Sequence, residues 1–306
     1  MRDAVSLPAH WRRPAARAAR AAAAALALAF GIAAGVEPVR ADQVPVDLEL
    51  VLAVDVSGSI DREEMELQRE GYLAALTHPD VVRAITRGVL GRIALAYVEW
   101  AGYETRRLVV DWQMIDGRAA AETFARKLAA APIRSGVSTS ISGAIEFVLP
   151  MFGANGFEGT RRVIDISGDG PNNQGPLVTV ARDAAAAAGI VINGLPILND
   201  RPNALNFPSL PDLDLYYEGC VIVGEGSFVI VANNFEAFGE AVRRKLILEI
   251  AGLAPVSRRL AAGPSLRRPL AAPRPRAARI AADYAPGCDI GERQLNEFYR
   301  RRGWGN

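Results

Sequence analysis

Apolar and polar positions divide the chain into alternating strand-like and helix-like segments. Val46 to Val56 is a near-continuous apolar run that ends in Asp55-Val56-Ser57-Gly58-Ser59. Such a run, polar only at its carboxyl end, reads as a buried central strand of an α/β sheet. Asp61 and Glu64 form a capping-box pattern that starts a helix from Arg62 to Thr77. Arg92–Trp100 and Thr105–Ile115 are the next two strand candidates, joined by only a few residues around Gly102-Tyr103. That connection is too short for a crossover helix, so these two strands must pair as an antiparallel hairpin.

Helices are expected over Ala119–Ala130 and Ser140–Leu149, on either side of the loop Pro132–Ser138. Arg162–Ser167 reads as a strand leading into Gly168-Asp169-Gly170-Pro171-Asn172-Asn173, followed by a helix over Leu177–Ala188 and a strand over Ile190–Ile197. Val221–Val223 and Ser227–Ala232 look like short strands, and Phe235–Ala251 like a closing amphipathic helix. Alternation of this kind predicts an α/β, doubly wound fold. Its central sheet is mostly parallel with one antiparallel edge strand, and helices cover both faces.

The ends of the chain differ in composition from its body. Arg2, Arg12, Arg13, Arg17 and Arg20 precede an alanine-rich apolar run from Ala21 to about Val36, and Val39-Arg40-Ala41 offers small residues for cleavage. Residues 1–41 therefore read as an export signal. The run falls short of the ~20 residues that span a bilayer, so no membrane span is expected after cleavage. Residues 42–254 form the folded domain, 255–287 a Pro/Arg/Ala-rich linker, and 288–306 a short segment with room for one helix. The expected location is periplasmic or secreted. In an oxidising compartment Cys220 and Cys288, the only cysteines, are expected to pair, with two free thiols as the alternative.

Charge and histidine content narrow the chemistry. Residues 42–254 carry 18 basic and 28 acidic side chains, whereas 255–306 carry 11 basic and 4 acidic. An acidic body argues against nucleic acid as a partner and favours cations. After signal cleavage His78 is the sole imidazole, which excludes histidine-rich metal sites and argues against a Ser-His-Asp triad. His78 itself reads as a surface residue at a helix end. Asp165, a carboxylate inside an apolar strand, needs a partner, and a nearby arginine is the expected one.

Asp55-x-Ser57-x-Ser59 places three oxygen donors at alternate positions just past a buried strand, where open α/β sheets bind ligands. Carboxylates and hydroxyls suit Mg²⁺, Mn²⁺ or Ca²⁺. Gly58 is expected to let the backbone turn tightly between the serines. Thr139 before a helix and Asp169 after a strand can reach the same edge. Each also has a plainer reading: the serines and Thr139 as helix caps, Asp169 as a turn residue.

Together these segments resemble the metal-ion-dependent adhesion site of von Willebrand factor A domains. Arg162 to Asn173 and Phe238 to Ile250 resemble, more narrowly, an uncharacterised bacterial group of such domains. The resemblance spans about Val46 to Gly252. It implies a divalent-cation site at Asp55, Ser57, Ser59, Thr139 and Asp169, with Mg²⁺ (or Mn²⁺ or Ca²⁺) as cofactor. One departure is Gly168, where the common pattern has threonine; the hydroxyl is either missing or supplied by Ser167 or Ser140.

The implied function is a binding, adhesion-type module rather than an enzyme, in which an acidic group of a protein partner completes the metal's coordination. The alternative is a metal-assisted phosphoryl-transfer hydrolase with Asp55 as nucleophile. That chemistry usually has a second aspartate two residues on, where this chain has Ser57, and a loop lysine beside the site. Lys127 and Lys245, the only lysines, fall in predicted helices.

Overall fold

The structure is a computed structural model that describes residues 43–198, 209–253 and 284–303. The expected signal (1–41) and residues 255–283 of the expected linker lie outside the described residues. Among the described residues there are seven strands, β1 (Val44–Val46), β2 (Leu48–Asp55), β3 (Ile93–Trp100), β4 (Arg106–Ile115), β5 (Phe157–Gly159), β6 (Arg162–Gly168) and β7 (Val191–Pro196). Eight helices accompany them: α1 (Arg62–Thr77), α2 (Pro79–Thr86), α3 (Arg118–Ala130), α4 (Ile141–Val148), α5 (Val178–Ala187), α6 (Leu213–Tyr216), α7 (Phe238–Ala251) and α8 (Ile290–Arg301).

The main sheet runs in the order β4-β3-β2-β6-β7, and only the β3–β4 pair is antiparallel. The short connection at Gly102-Tyr103 forces that reversal, and β4 forms the expected antiparallel edge. All eight residues of β2 are buried because helices cover both faces of the sheet. One apolar layer joins β2 and β3 to α1, α2, α3 and α7 through Leu50, Leu52, Tyr72, Phe124, Phe238 and Leu246. The opposite layer joins Val51, Ala53, Ile164 and Ile166 to α4, α5 and the segment around Tyr217. Alternate residues of one strand thus feed two separate cores.

The capping box at the start of α1 is present: Glu64 N–H donates to Asp61 Oδ1 and Asp61 N–H to Glu64 Oε2, each at 2.9 Å. His78 ends α1 and also opens α2, its Nδ1 accepting Asp80 N–H at 3.1 Å. Helix α2 and the two-stranded β1–β5 pairing were not anticipated from the sequence. Both are short elements, eight residues in α2 and three in each of β1 and β5.

Two expectations are corrected. The segment around Cys220 is not a strand; Tyr217–Val221 forms a π-helical turn that continues α6. Beyond it, Val223 bridges Ile192 in antiparallel sense, while Val229 and Ala232 bridge Gly194 and Ile197 in parallel sense. The chain reverses through Gly224 and Gly226, both at positive φ, so no continuous ladder forms. The partner of Asp165 is also not an arginine. Helix α7 covers that face of β6 and brings Lys245 Nζ within 2.6 Å of Asp165 Oδ1 and 2.5 Å of Glu249 Oε1. Asn193 Nδ2 donates to the same Glu249 oxygen at 2.8 Å.

Cys220 and Cys288 form a disulfide that joins the π-helical turn to the segment preceding α8. Tyr284 stacks edge-on against Tyr216 beside it, with ring centroids 5.7 Å apart. Among the described residues no helix is long and apolar enough to cross a membrane.

The buried cluster sets a pH dependence. Burial first, and then the Glu249 charge, push the Asp165 carboxyl up to about 7. The folded state therefore keeps a proton that the unfolded chain releases near its ordinary value, and stability falls as pH rises from about 4 to 7. Asp165→Asn removes this contribution. Its stability relative to wild type should increase across that window in urea titrations at fixed ionic strength; a difference independent of pH would contradict the assignment. The disulfide closes a loop with a sequence separation of 68 residues. Reduction should lower unfolding stability by up to ~4 kcal/mol on chain entropy alone. Intact-mass analysis before reduction should show no free thiol, and alkylation of the native protein would contradict this.

Candidate metal centre

Parallel pairing places the ends of β2 and β6 side by side, with Val54 opposite Ser167. The residues that follow, Asp55 and Asp169, therefore meet at the carboxyl edge of the sheet. Asp55 is fully buried, and its Oδ1 accepts the Ser57 N–H at 2.7 Å. Ser57 Oγ lies 3.1 Å from Ser59 Oγ, and Ser59 Oγ donates to Asp169 Oδ1 at 2.6 Å. Four of the five sequence-predicted residues thus form one connected set of oxygen donors.

Thr139 enters from the third loop. Its N–H donates to Asn173 Oδ1 at 3.0 Å, and the Asn173 N–H returns to the Thr139 carbonyl at 2.8 Å. This exchange ties the Thr139 loop to the Asp169 loop. A β-carbon at Gly170 would stand 3.8 Å from Thr139 Oγ1, so the hydroxyl faces the Asp169-Gly170 backbone. Thr139 is not the cap of α4. Ser140 fills that role, its Oγ accepting Gly143 N–H at 3.1 Å.

The role of Gly58 differs from expectation. Its φ is not positive, so the turn does not demand glycine for conformational freedom. Instead, a β-carbon there would sit 3.1 Å from the Val137 carbonyl oxygen, and Gly136 N–H donates to Val56 O at 2.8 Å. Glycine lets the third loop pack directly on the first.

Electrostatics at this edge disfavour two bare carboxylates. Burial, followed by the charge of Asp169, pushes the Asp55 carboxyl well above its ordinary value; bonds from Ser57 and the Asp169 backbone oppose that rise. Asp55 Oδ2 is buried and has no well-formed hydrogen bond among the described residues. Two carboxylates held together in a dry place are stabilised as anions by a dication. Among the described residues no group of three or more His, Cys, Asp or Glu side chains is arranged to hold a metal. A cation here depends on hydroxyls for most of its protein ligands, and such a donor set suits a hard ion.

Neither expected hydroxyl replaces the threonine missing at position 168. Ser167 Oγ receives the Tyr72 hydroxyl at 3.1 Å on the opposite face of the sheet. Ser140 Oγ donates to the Gln174 carbonyl at 2.7 Å while capping α4.

Several supporting residues escaped the sequence reading. Asn172 Oδ1 accepts from Ser142 N at 2.9 Å and Ser142 Oγ at 3.1 Å. Its Nδ2 donates to Glu292 Oε1 of α8 at 2.7 Å, and its N–H to Tyr216 Oη at 3.2 Å. A β-carbon at Gly291 would overlap the Asn172 carbonyl, so α8 packs closely on this loop. Tyr217 is fully buried, and its hydroxyl borders the same gap at Gly168 as Asp55. Asn172 and Asn173 stood in a motif noted for resemblance, but nothing local marked Tyr217 or Glu292.

The structure is similar to that of proximal thread matrix protein 1 from the mussel byssus, at 14% identity and a TM-score of 0.50, covering 68% of this chain and 49% of that one. It is also similar to the pilus adhesin SpaC from Lactobacillus rhamnosus GG, at 12% identity and a TM-score of 0.50, covering 68% of this chain and 30% of that one. A von Willebrand factor type A structure from Catenulispora acidiphila matches at 14% identity and a TM-score of 0.45, over 67% of this chain and 43% of that one. The chain spans about half the length of the byssus protein, and identities this low speak to fold alone. Among curated proteins none matches the sequence. The family profile described as "Protein of unknown function (DUF1194)" matches residues 45–254. The chain therefore belongs to this family of unknown function, on an α/β fold like that of the byssus protein and the pilus adhesin.

Proposed function

We propose that this protein is a divalent-cation-dependent binding module of the bacterial envelope, and that a protein partner supplies a carboxylate to the cation. The observation that carries this reading is the convergence of three loops on one sheet edge, where Ser57, Ser59 and Asp169 are joined by hydrogen bonds above the buried Asp55. Asp55, Ser57, Ser59, Thr139 and Asp169 are the residues that would hold the ion, with Mg²⁺ the leading candidate and Mn²⁺ or Ca²⁺ compatible. Only Asp55 and Asp169 bring formal negative charge, so a dication is not over-neutralised and keeps an affinity for an external anion.

A binding role suits the site better than phosphoryl transfer. Asp55 is fully buried with one oxygen engaged by Ser57 N–H, a poor arrangement for a nucleophile that must reach substrate. Lys245 of α7 is buried with Asp165 and Glu249, and Lys127 bonds Gln113 on the edge strand β4. Export to an oxidising compartment is supported by the disulfide.

Affinity should follow ligand charge. Asp55→Asn and Asp169→Asn should each weaken Mg²⁺ or Mn²⁺ binding by at least about tenfold, and Ser59→Ala by less, because hard-cation affinity tracks carboxylate count. Calorimetric titration of the full chain measures this. Wild-type protein without millimolar affinity for either ion, or an Asp55→Asn variant that binds equally well, would rule out the site. Affinity capture from envelope extract should retain a partner in Mg²⁺ and release it in EDTA, and capture unchanged by EDTA would contradict a cation-mediated contact.

A further inference from the structure

Tyr217 opens the π-helical turn Tyr217–Val221, and two strand glycines admit its ring to the surface of the sheet. A β-carbon at Gly194 on β7 would stand 2.7 Å from Tyr217 Cδ1, and one at Gly168 on β6 would stand 3.1 Å from Tyr217 Oη. Neither glycine has a positive φ, so both serve for space rather than for backbone conformation. Any larger residue at either position would crowd the tyrosine. At the end of this fitted ring is a hydroxyl that is buried and without a hydrogen-bond partner among the described residues. Phenylalanine would fill the same volume without burying a polar atom, so packing alone does not account for tyrosine.

The geometry also offers a partner. Tyr217 Oη and Asp55 Oδ2 border the same gap at Gly168, 3.1 and 2.8 Å from the β-carbon position there. Asp55 Oδ2 is itself buried without a well-formed hydrogen bond, while Oδ1 already accepts from Ser57. A phenol is a donor and an ionised carboxylate only an acceptor, so the two unsatisfied atoms are complementary.

We propose that Tyr217 is a positioning residue of the cation site: the two atoms are not bonded in this structure, and the Tyr217 O–H becomes the donor to Asp55 Oδ2, fixing that carboxylate, when a cation holds it ionised. The inference rests on the cation-binding reading above. It also accounts for glycine at position 168: the hydroxyl comes from a distant segment, through the space that a side chain on β6 would occupy. Hydrogen bonds to a ligating group from outside the ligand set commonly change metal affinity by 10–100-fold.

Calorimetric titration of Mn²⁺ into the full, disulfide-intact chain tests this, using wild type, Tyr217→Phe and Tyr72→Phe, with melting temperatures recorded in EDTA. Tyr72 is the control, because its hydroxyl bonds Ser167 on the other face of the same strand. Tyr217→Phe should bind Mn²⁺ about tenfold or more weakly, with a melting temperature in EDTA equal to or above that of wild type. Tyr72→Phe should keep wild-type affinity. Equal Mn²⁺ affinity in wild type and Tyr217→Phe would overturn the role of Tyr217 and leave the cation site standing. A loss of affinity matched by a lower melting temperature in EDTA would assign Tyr217 to packing and overturn the proposal. Wild-type protein that binds no Mn²⁺ would overturn the cation site and this inference together.

Discussion

Parallel pairing of β2 with β6 is the constraint from which the functional edge of this molecule follows. Once Val54 stands opposite Ser167, Asp55 and Asp169 must emerge at neighbouring points of the same edge. The pairing cannot slip by one residue without turning Val51 and Ala53 into the wrong core layer, because the two faces of β2 feed different clusters. Hydrophobic registry therefore enforces a juxtaposition of two carboxylates that electrostatics alone disfavours. The raised pKa of Asp55, due to burial and then to Asp169, is the signature of that conflict. A bound dication would resolve it, and the hydroxyls of Ser57, Ser59 and Thr139 are suited to complete its coordination.

The loops are held from outside the sheet rather than by strand ladders. Thr139 and Asn173 exchange hydrogen bonds, Asn172 anchors to Ser142 and Tyr216, and Glu292 reaches Asn172 from α8. Helix α8 follows Cys288, whose disulfide partner Cys220 lies in the same π-helical turn as Tyr217. The C-terminal segment is thus part of the scaffold that shapes the Asp169 loop. Burial, more than the neighbouring charge of Asp289, raises the Glu292 carboxyl above its ordinary value, and its bond to Asn172 works against that rise.

Much of the architecture was legible because its signals are local. The apolar run of β2, the capping box of α1 and the short connection between β3 and β4 each determine an element within a few residues. The candidate site residues stood out only in combination: Asp55-x-Ser57-x-Ser59 alone reads equally well as a helix start. What the sequence concealed depends on long-range packing. Lys245 became the partner of Asp165 because α7 lies across β6, a juxtaposition with no trace in either segment. The run before Val223 looked like a strand from composition, yet the chain reverses at Gly224 and Gly226 and leaves single bridges. Gly168 looked like a lost hydroxyl; in the fold it is the opening through which Tyr217 approaches Asp55.

The central claim, that the three loops form one cation site, is tested most directly by anomalous diffraction from crystals of the full chain grown with Mn²⁺. The account predicts a single strong peak at the carboxyl edge of β2 and β6, within direct bonding distance of the Ser57 and Ser59 hydroxyls. That peak should disappear in Asp55→Asn crystals grown under the same conditions. A peak elsewhere on the acidic surface with none at this edge, or one at the edge that persists in Asp55→Asn, would contradict it.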